Sequence, residues 1–201
     1  VPTSLAAFTE EEYRGLLVVE NPATSSPGLA FLLATVAAFG ADGWQQYWAD
    51  LRSNGVEVVD GWDQAYYERF SGSSGNGPRP FVVSYGSSPP AEVIYGDPRP
   101  DTAPTAVIES SCFHQVEFAG VLRGTDHPEA AGQLIDYLVS AQFQELLPVN
   151  LFVYPARTGV TIPDEFTAYA VRPAEPLTVA PDDIEAHAKE WTREWTRIVL
   201  R

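Results

Sequence analysis

Positions 29–39 read LAFLLATVAAF, a run with no charged side chain and a single hydroxyl. A segment apolar on every side reads as a helix buried almost all round, and Gly40 marks its end. It falls short of the roughly 18–20 apolar residues that a membrane span needs, as does every other stretch. Such a helix has to be covered by other layers of structure. What precedes it supplies one of them: residues 16–19 (LLVV) are β-rich and lead into the turn Asn21-Pro22-Ala23-Thr24-Ser25-Ser26-Pro27-Gly28.

The same alternation continues downstream. Trp44, Tyr47, Trp48 and Leu51 recur at spacings of three and four, which predicts an amphipathic helix. Asn54-Gly55 is a turn, residues 56–59 a strand, residues 63–70 a helix and residues 81–84 an apolar strand. Between the last two, residues 71–80 (SGSSGNGPRP) read as a flexible, low-complexity loop. The polar, proline-rich stretch 87–105 suits a crossover between lobes. Residues 106–108 and 115–122 look like strands. His127-Pro128-Glu129 opens a helix whose core face would be Ala130, Leu134, Tyr137 and Leu138. A second helix, 141–147, would stop at Pro148, and a last one covers 181–200, where Trp191 and Trp195 suit core or inter-lobe packing. Strands alternating with helices give an α/β class.

Charge narrows the function. With 27 acidic and 12 basic residues the net charge is −15, the opposite of the basic footprint that nucleic acids or an anionic membrane require. Cys112 is the only cysteine, so no disulfide forms within these residues. It reads as a small buried hydrophobe, or as half of a pair completed by sequence outside this chain. With His114, His127 and His187 it shows no metal-ligand spacing, so neither a metal nor a cofactor is expected. No nucleophile elbow and no phosphate loop is present. Cys112 and His114 share a strand face without any assurance of hydrogen-bond geometry. The chain reads as a non-enzyme.

Binding is better supported. Ser25 and Ser26 sit where hydroxyls and free N–H groups of a helix start meet an anion or a polar ligand head, although such residues often only cap their own helix. Trp62 follows Asp60-Gly61 at a strand-to-helix turn. It is either a core residue on the sheet edge or a flat surface for a planar or cationic ring. Tyr85 holds the same place after the next strand, followed by Gly86, Ser87 and Ser88. If the strands are parallel neighbours, these pieces converge at the carboxyl end of one sheet, where open α/β folds bind ligands.

Beyond single residues, the chain resembles the bacterial extracellular solute-binding proteins, especially those that bind thiamine. The residues that carry this are Val1-Pro2-Thr3-Ser4-Leu5 with Tyr13-Arg14-Gly15, the 21–28 turn, and Gly61-Trp62 with Ala65-Tyr66. They continue with Ser84-Tyr85, Ser88-Pro89, His127-Pro128-Glu129-Ala130-Ala131, Ser140-Ala141-Gln142-Phe143-Gln144, Pro155, Ile162-Pro163 and the Trp191/Trp195 helix. The resemblance implies a type II periplasmic-binding-protein fold, with one α/β lobe plus the returning elements of the other. Residues 1–86 would form the second lobe, 87–105 the crossover and 106–201 the returning segment, the first lobe lying largely ahead of Val1. It implies a monomeric solute-binding subunit of an ABC importer, periplasmic or extracellular, with lipid anchoring left open, that meets the permease subunits. Thiamine or a thiamine phosphate would lie between the lobes. Ser25 and Ser26 would take its polar end, and Trp62, Tyr85 and Phe152 its rings, with Ser87 and Ser88 on the same wall. Phe152 stands where the thiamine binders carry Trp, and Pro90-Ala91 where they carry another aromatic. The acidic groups that meet the cation would lie mostly outside this chain. Alternatives are a polyamine, ferric ion or anion as ligand, or an enzyme like those of thiamine-pyrimidine synthesis with Cys112 as nucleophile.

Overall fold

The computed structural model of this chain describes residues 1–72 and 77–201, so part of the 71–80 segment lies outside the described residues. Three short strands form a wholly parallel sheet: β1 (Leu17–Glu20), β2 (Glu57–Val59) and β3 (Phe81–Val82), in the order β2-β1-β3. Val18 faces Glu57 on one side and Val82 on the other, which fixes the register. All four residues of β1 are buried, as expected of a central strand covered on both faces.

Alternation along β1 sends its side chains into two layers. Leu17 and Val19 join the main core with α1 (Ser26–Phe39), α2 (Trp44–Ser53) and α8 (Pro181–Val199). Val18 faces the other way and packs with Val59, Ala65 and Val82. α1 is the apolar run seen in the sequence, and residues 32–36 are buried. Its one internal hydroxyl has a function: Thr35 Oγ1 accepts from Trp48 Nε1 at 2.9 Å and donates to the Leu32 carbonyl at 2.7 Å. Trp48 lies edge-on to Trp195, ring centres 5.4 Å apart, so the last helix completes the core. Two 3₁₀ turns, Leu5–Thr9 and Glu11–Tyr13, close its rim. There Asn54 Nδ2 donates to the carbonyls of Phe8 (2.8 Å) and Glu10 (2.7 Å).

Gly28 sits where α1 crosses the end of β1. A Cβ there would fall 2.6 Å from the Glu20 carbonyl oxygen, so only glycine allows so close an approach. The expected helix after β2 is a π-type segment, Gln64–Arg69, closed by Phe70 N–H donating to the Ala65 carbonyl. It carries Tyr66 and Tyr67. Glu57, at the start of β2, pairs with Arg69 at the end of this segment at 2.5 Å and with Arg79, just ahead of β3, at 2.6 Å.

The second half departs from the sequence expectation in three places. Residues 106–108 and 115–122 form no strand; Phe113 makes one isolated bridge to Leu177. A strand needs a paired neighbour to satisfy its backbone, and among the described residues none lies alongside 115–122. Helix α4 (Pro128–Leu138) forms as expected, but its apolar face is uncovered: Ala130, Leu134 and Tyr137 are exposed and Leu138 only half-buried. Pro148 does not stop a helix. The 141–147 segment is α5 (Ala141–Gln144) followed by α6 (Leu147–Asn150), whose first turn holds Pro148, where a missing N–H costs nothing. Two further short helices, α3 (Pro89–Ile94) and α7 (Asp164–Tyr169), pack on each other, and α3 lies inside the 87–105 stretch.

Candidate binding site

Because the three strands are parallel neighbours, their carboxyl ends lie side by side: Glu20-Asn21, Asp60 to Trp62, and Ser84-Tyr85. Two hydrogen bonds stitch the first pair together, Asn21 N–H to the Val59 carbonyl (2.8 Å) and Thr24 Oγ1 to the Asp60 carbonyl (2.7 Å). The Asn21–Gly28 turn is thus spent partly on joining β1 to β2.

Over the ends of β2 and β3 lies an aromatic cluster. Trp62 stacks on Tyr66 with ring centres 4.7 Å apart and planes 18° from parallel. Tyr67 meets the indole edge-on at 5.4 Å, and Tyr85 is tilted against it at 6.1 Å. The indole N–H donates to Ser84 Oγ at 2.9 Å, and Ser84 and Ser88 share a 2.7 Å hydroxyl contact. Trp62 is half-buried, held by the stacked Tyr66, the edge-on Tyr67, the tilted Tyr85 and the hydrogen bond to Ser84.

This cluster forms one wall of a cavity of about 670 Å³ whose other side comes from Tyr95 on the α3 exit and from Phe152. The volume suits a ligand of two small rings. Tyr95 and Phe152 meet edge-on at 6.0 Å, and the Tyr95 hydroxyl donates to the Val149 carbonyl at 2.6 Å. Phe152 is in the left-handed region at φ 52°, a strained setting for a bulky residue. Ser87 Oγ donates to its carbonyl and helps hold it there. Glu92 also lines the cavity and accepts from the Tyr66 hydroxyl. Burial raises the Glu92 pKa and the Tyr66 hydrogen bond opposes that rise. Burial above all raises the Tyr66 pKa too.

The expected site residues therefore divide. Trp62, Ser88 and Phe152 line this cavity. Tyr85 and Ser88 line a neighbouring one of about 480 Å³, shared with Cys112. Ser87 is buried, borders neither cavity and acts on Phe152. Ser25 and Ser26 also border neither: Ser25 Oγ caps α1, accepting from Gly28 N–H at 3.4 Å, and Ser26 is exposed. Tyr95 and Glu92 carry no sequence signal for this site, whereas Tyr66 is part of the family likeness. Tyr66 was findable as the helical i+4 neighbour of Trp62. Cys112 is half-buried and free, and burial, then Glu109, raises its pKa, which keeps it a thiol rather than a nucleophilic thiolate.

One buried carboxylate stands apart. Glu20 ends the central strand on the Val18 face, almost wholly buried, and neither carboxylate oxygen has a hydrogen-bond partner among the described residues. Burial pushes its pKa up to about 8.

Comparison with known proteins yields a consistent set. The profile of a family described as bacterial extracellular solute-binding protein matches residues 1–174. The thiamine-binding periplasmic protein of Escherichia coli (strain K12) is 30% identical over 200 residues, covering 100% of this chain and 58% of that protein. Its counterpart in Salmonella typhimurium (strain LT2) is 31% identical over the same length and shares of each chain. A solved structure of a periplasmic thiamin binding protein superposes with a TM-score of 0.79 at 28% identity, covering 100% of this chain and 60% of that one. The chain thus spans less than two thirds of the relatives it matches, and the α/β class with a parallel sheet agrees with that solved fold.

Proposed function

As this chain belongs to the bacterial extracellular solute-binding protein family, we propose that its protein captures thiamine or a thiamine phosphate for an ABC importer and does no chemistry on it. The observation that carries this reading is the cavity walled by Trp62, Tyr66, Tyr67, Tyr95 and Phe152. Such walls offer flat faces to planar rings, and the edge-on partners hold those faces in place before a ligand arrives. The names of the relatives support the ligand; the topology supports its place, at the carboxyl ends of parallel strands. Ser26 and the start of α1 would receive a phosphate end, and Tyr85 the far side of the Trp62 cluster.

The same reading assigns residues 1–86 to one lobe, 87–105 to the crossover and 106–201 to the returning segment. Its support is the surface of the returning part. Phe118 is 91% and Leu122 81% exposed, and α4 has no buried residue. Apolar surface of this kind belongs under a second lobe supplied by residues outside these 201. The protein would work outside the cytoplasmic membrane as a monomer and present its closed form to the permease subunits.

A fluorescence titration of the intact protein with thiamine, using spermidine as control, tests the ligand. Thiamine should saturate the tryptophan signal and spermidine should not. Trp62→Ala should weaken thiamine about 10-fold or more, the scale of a lost aromatic wall. No saturable response to thiamine refutes the ligand assignment.

A further inference from the structure

We propose that Glu92 is the counter-charge for the ligand and restricts the aromatic cavity to organic cations. The inference rests on the reading of that cavity as the ligand site. Among the described residues lining it there is no Lys, Arg or His, whereas Glu92 and, at the exposed rim, Asp97 are acidic. Glu92 has no ion pair among the described residues; Arg99, the nearest basic residue along α3 and its exit, is held by Glu165. Among the described residues the one hydrogen bond to the Glu92 carboxylate comes from the Tyr66 hydroxyl and reaches Oε1, with none to Oε2.

A half-buried carboxylate without a cationic partner is costly, and its raised pKa expresses that cost. An incoming cation supplies the charge the fold withholds. Part of the desolvation of Glu92 is complete before binding, and the Tyr66 hydroxyl already fixes the carboxylate, so the attraction is gained with little reorganisation. The rings of Trp62 and Tyr67 favour the same occupant, since their electron-rich faces attract a delocalised or quaternary cation. Tyr66 has two roles, as the stacking partner of Trp62 and as the donor that fixes the carboxylate. An anion would face this carboxylate unscreened, and a neutral ring would leave it unpaired. The class that fits is a planar heteroaromatic cation, of which a thiazolium is one.

The test compares thiamine with 3-deazathiamine, which has the same shape but a neutral thiophene ring, by calorimetric titration of the intact protein and of Glu92→Gln. The unaltered protein should bind thiamine at least about 10-fold more tightly than the neutral isostere. In Glu92→Gln that preference should fall to about 3-fold or less, with 3-deazathiamine binding retained. Equal loss of both ligands in the variant would make Glu92 structural and overturn the proposal. A preference near one in the unaltered protein overturns it without any variant. Absence of thiamine binding to the unaltered protein would instead overturn the ligand assignment, and this inference with it.

Discussion

Replacing Glu20 with glutamine perturbs the end of the central strand without changing its shape. In the folded chain the acid is buried with neither oxygen paired among the described residues, and burial pushes its pKa up to about 8 from an ordinary 4.5. Between those values the unfolded chain has lost a proton that the folded chain retains. Stability from this group is therefore complete below pH 4.5 and falls as the pH rises towards 8. At 1.36 kcal/mol per pH unit the full span corresponds to about 5 kcal/mol, and the part reached at pH 7 to about 3 kcal/mol. Water reaching the site or a small relaxation of the strand end lowers both figures. Glutamine is neutral throughout, so Glu20→Gln should remove this group's part of the slope. The variant should match the unaltered protein near pH 5 and exceed it by roughly 2–5 kcal/mol at pH 8. Urea unfolding of the intact protein at pH 5, 6, 7 and 8, followed by circular dichroism, measures this directly. Parallel stability profiles for the two proteins would show that Glu20 titrates at its ordinary pKa when folded, and the burial argument would fail.

Two smaller changes test the supports of the site. Gly28→Ala puts a methyl 2.6 Å from the Glu20 carbonyl oxygen and should cost about 1–3 kcal/mol in the same unfolding assay, since α1 has to move off the strand. An unchanged unfolding midpoint would refute the close approach. Ser87→Ala leaves the carbonyl of a strained Phe152 without its donor. It should cost about 1–2 kcal/mol of stability and weaken thiamine a few-fold by loosening the ring, whereas full affinity at lowered stability would separate Ser87 from the site.

Local patterns in the sequence carried the first half of the fold. The apolar 29–39 run, the 44–51 stripe and three short β-rich segments each state their own burial, and the structure puts them in one parallel sheet with helices on both faces. Trp62 was legible because a strand-to-helix turn points to the carboxyl end of a sheet. Tyr95 and Glu92 were not, because they reach the cavity from α3, a six-residue helix whose two leading prolines say nothing about what it packs on. The strands expected at 106–108 and 115–122 show a different failure. Periodicity reports that a segment has an apolar side, but pairing requires a neighbour, and none is present among the described residues.

α4 makes the same point in a form that bears on function. Its amphipathic pattern is strong, and Leu134 and Tyr137 lie on the stripe expected to be buried, yet they are 56% and 45% exposed. An amphipathic stripe encodes a demand for cover and not the identity of the cover. Where the chain meets that demand itself, as α2 does against α8, the site-bearing sheet is fixed. Where it leaves the demand open, in residues 115–138, the unmet surface lies in the half that the proposed function assigns to the returning segment. The cavity belongs to the self-sufficient part, since Trp62, Tyr66 and Glu92 are held by contacts wholly within these residues. The aromatic wall is therefore assembled from these residues alone, as the proposed cation site requires.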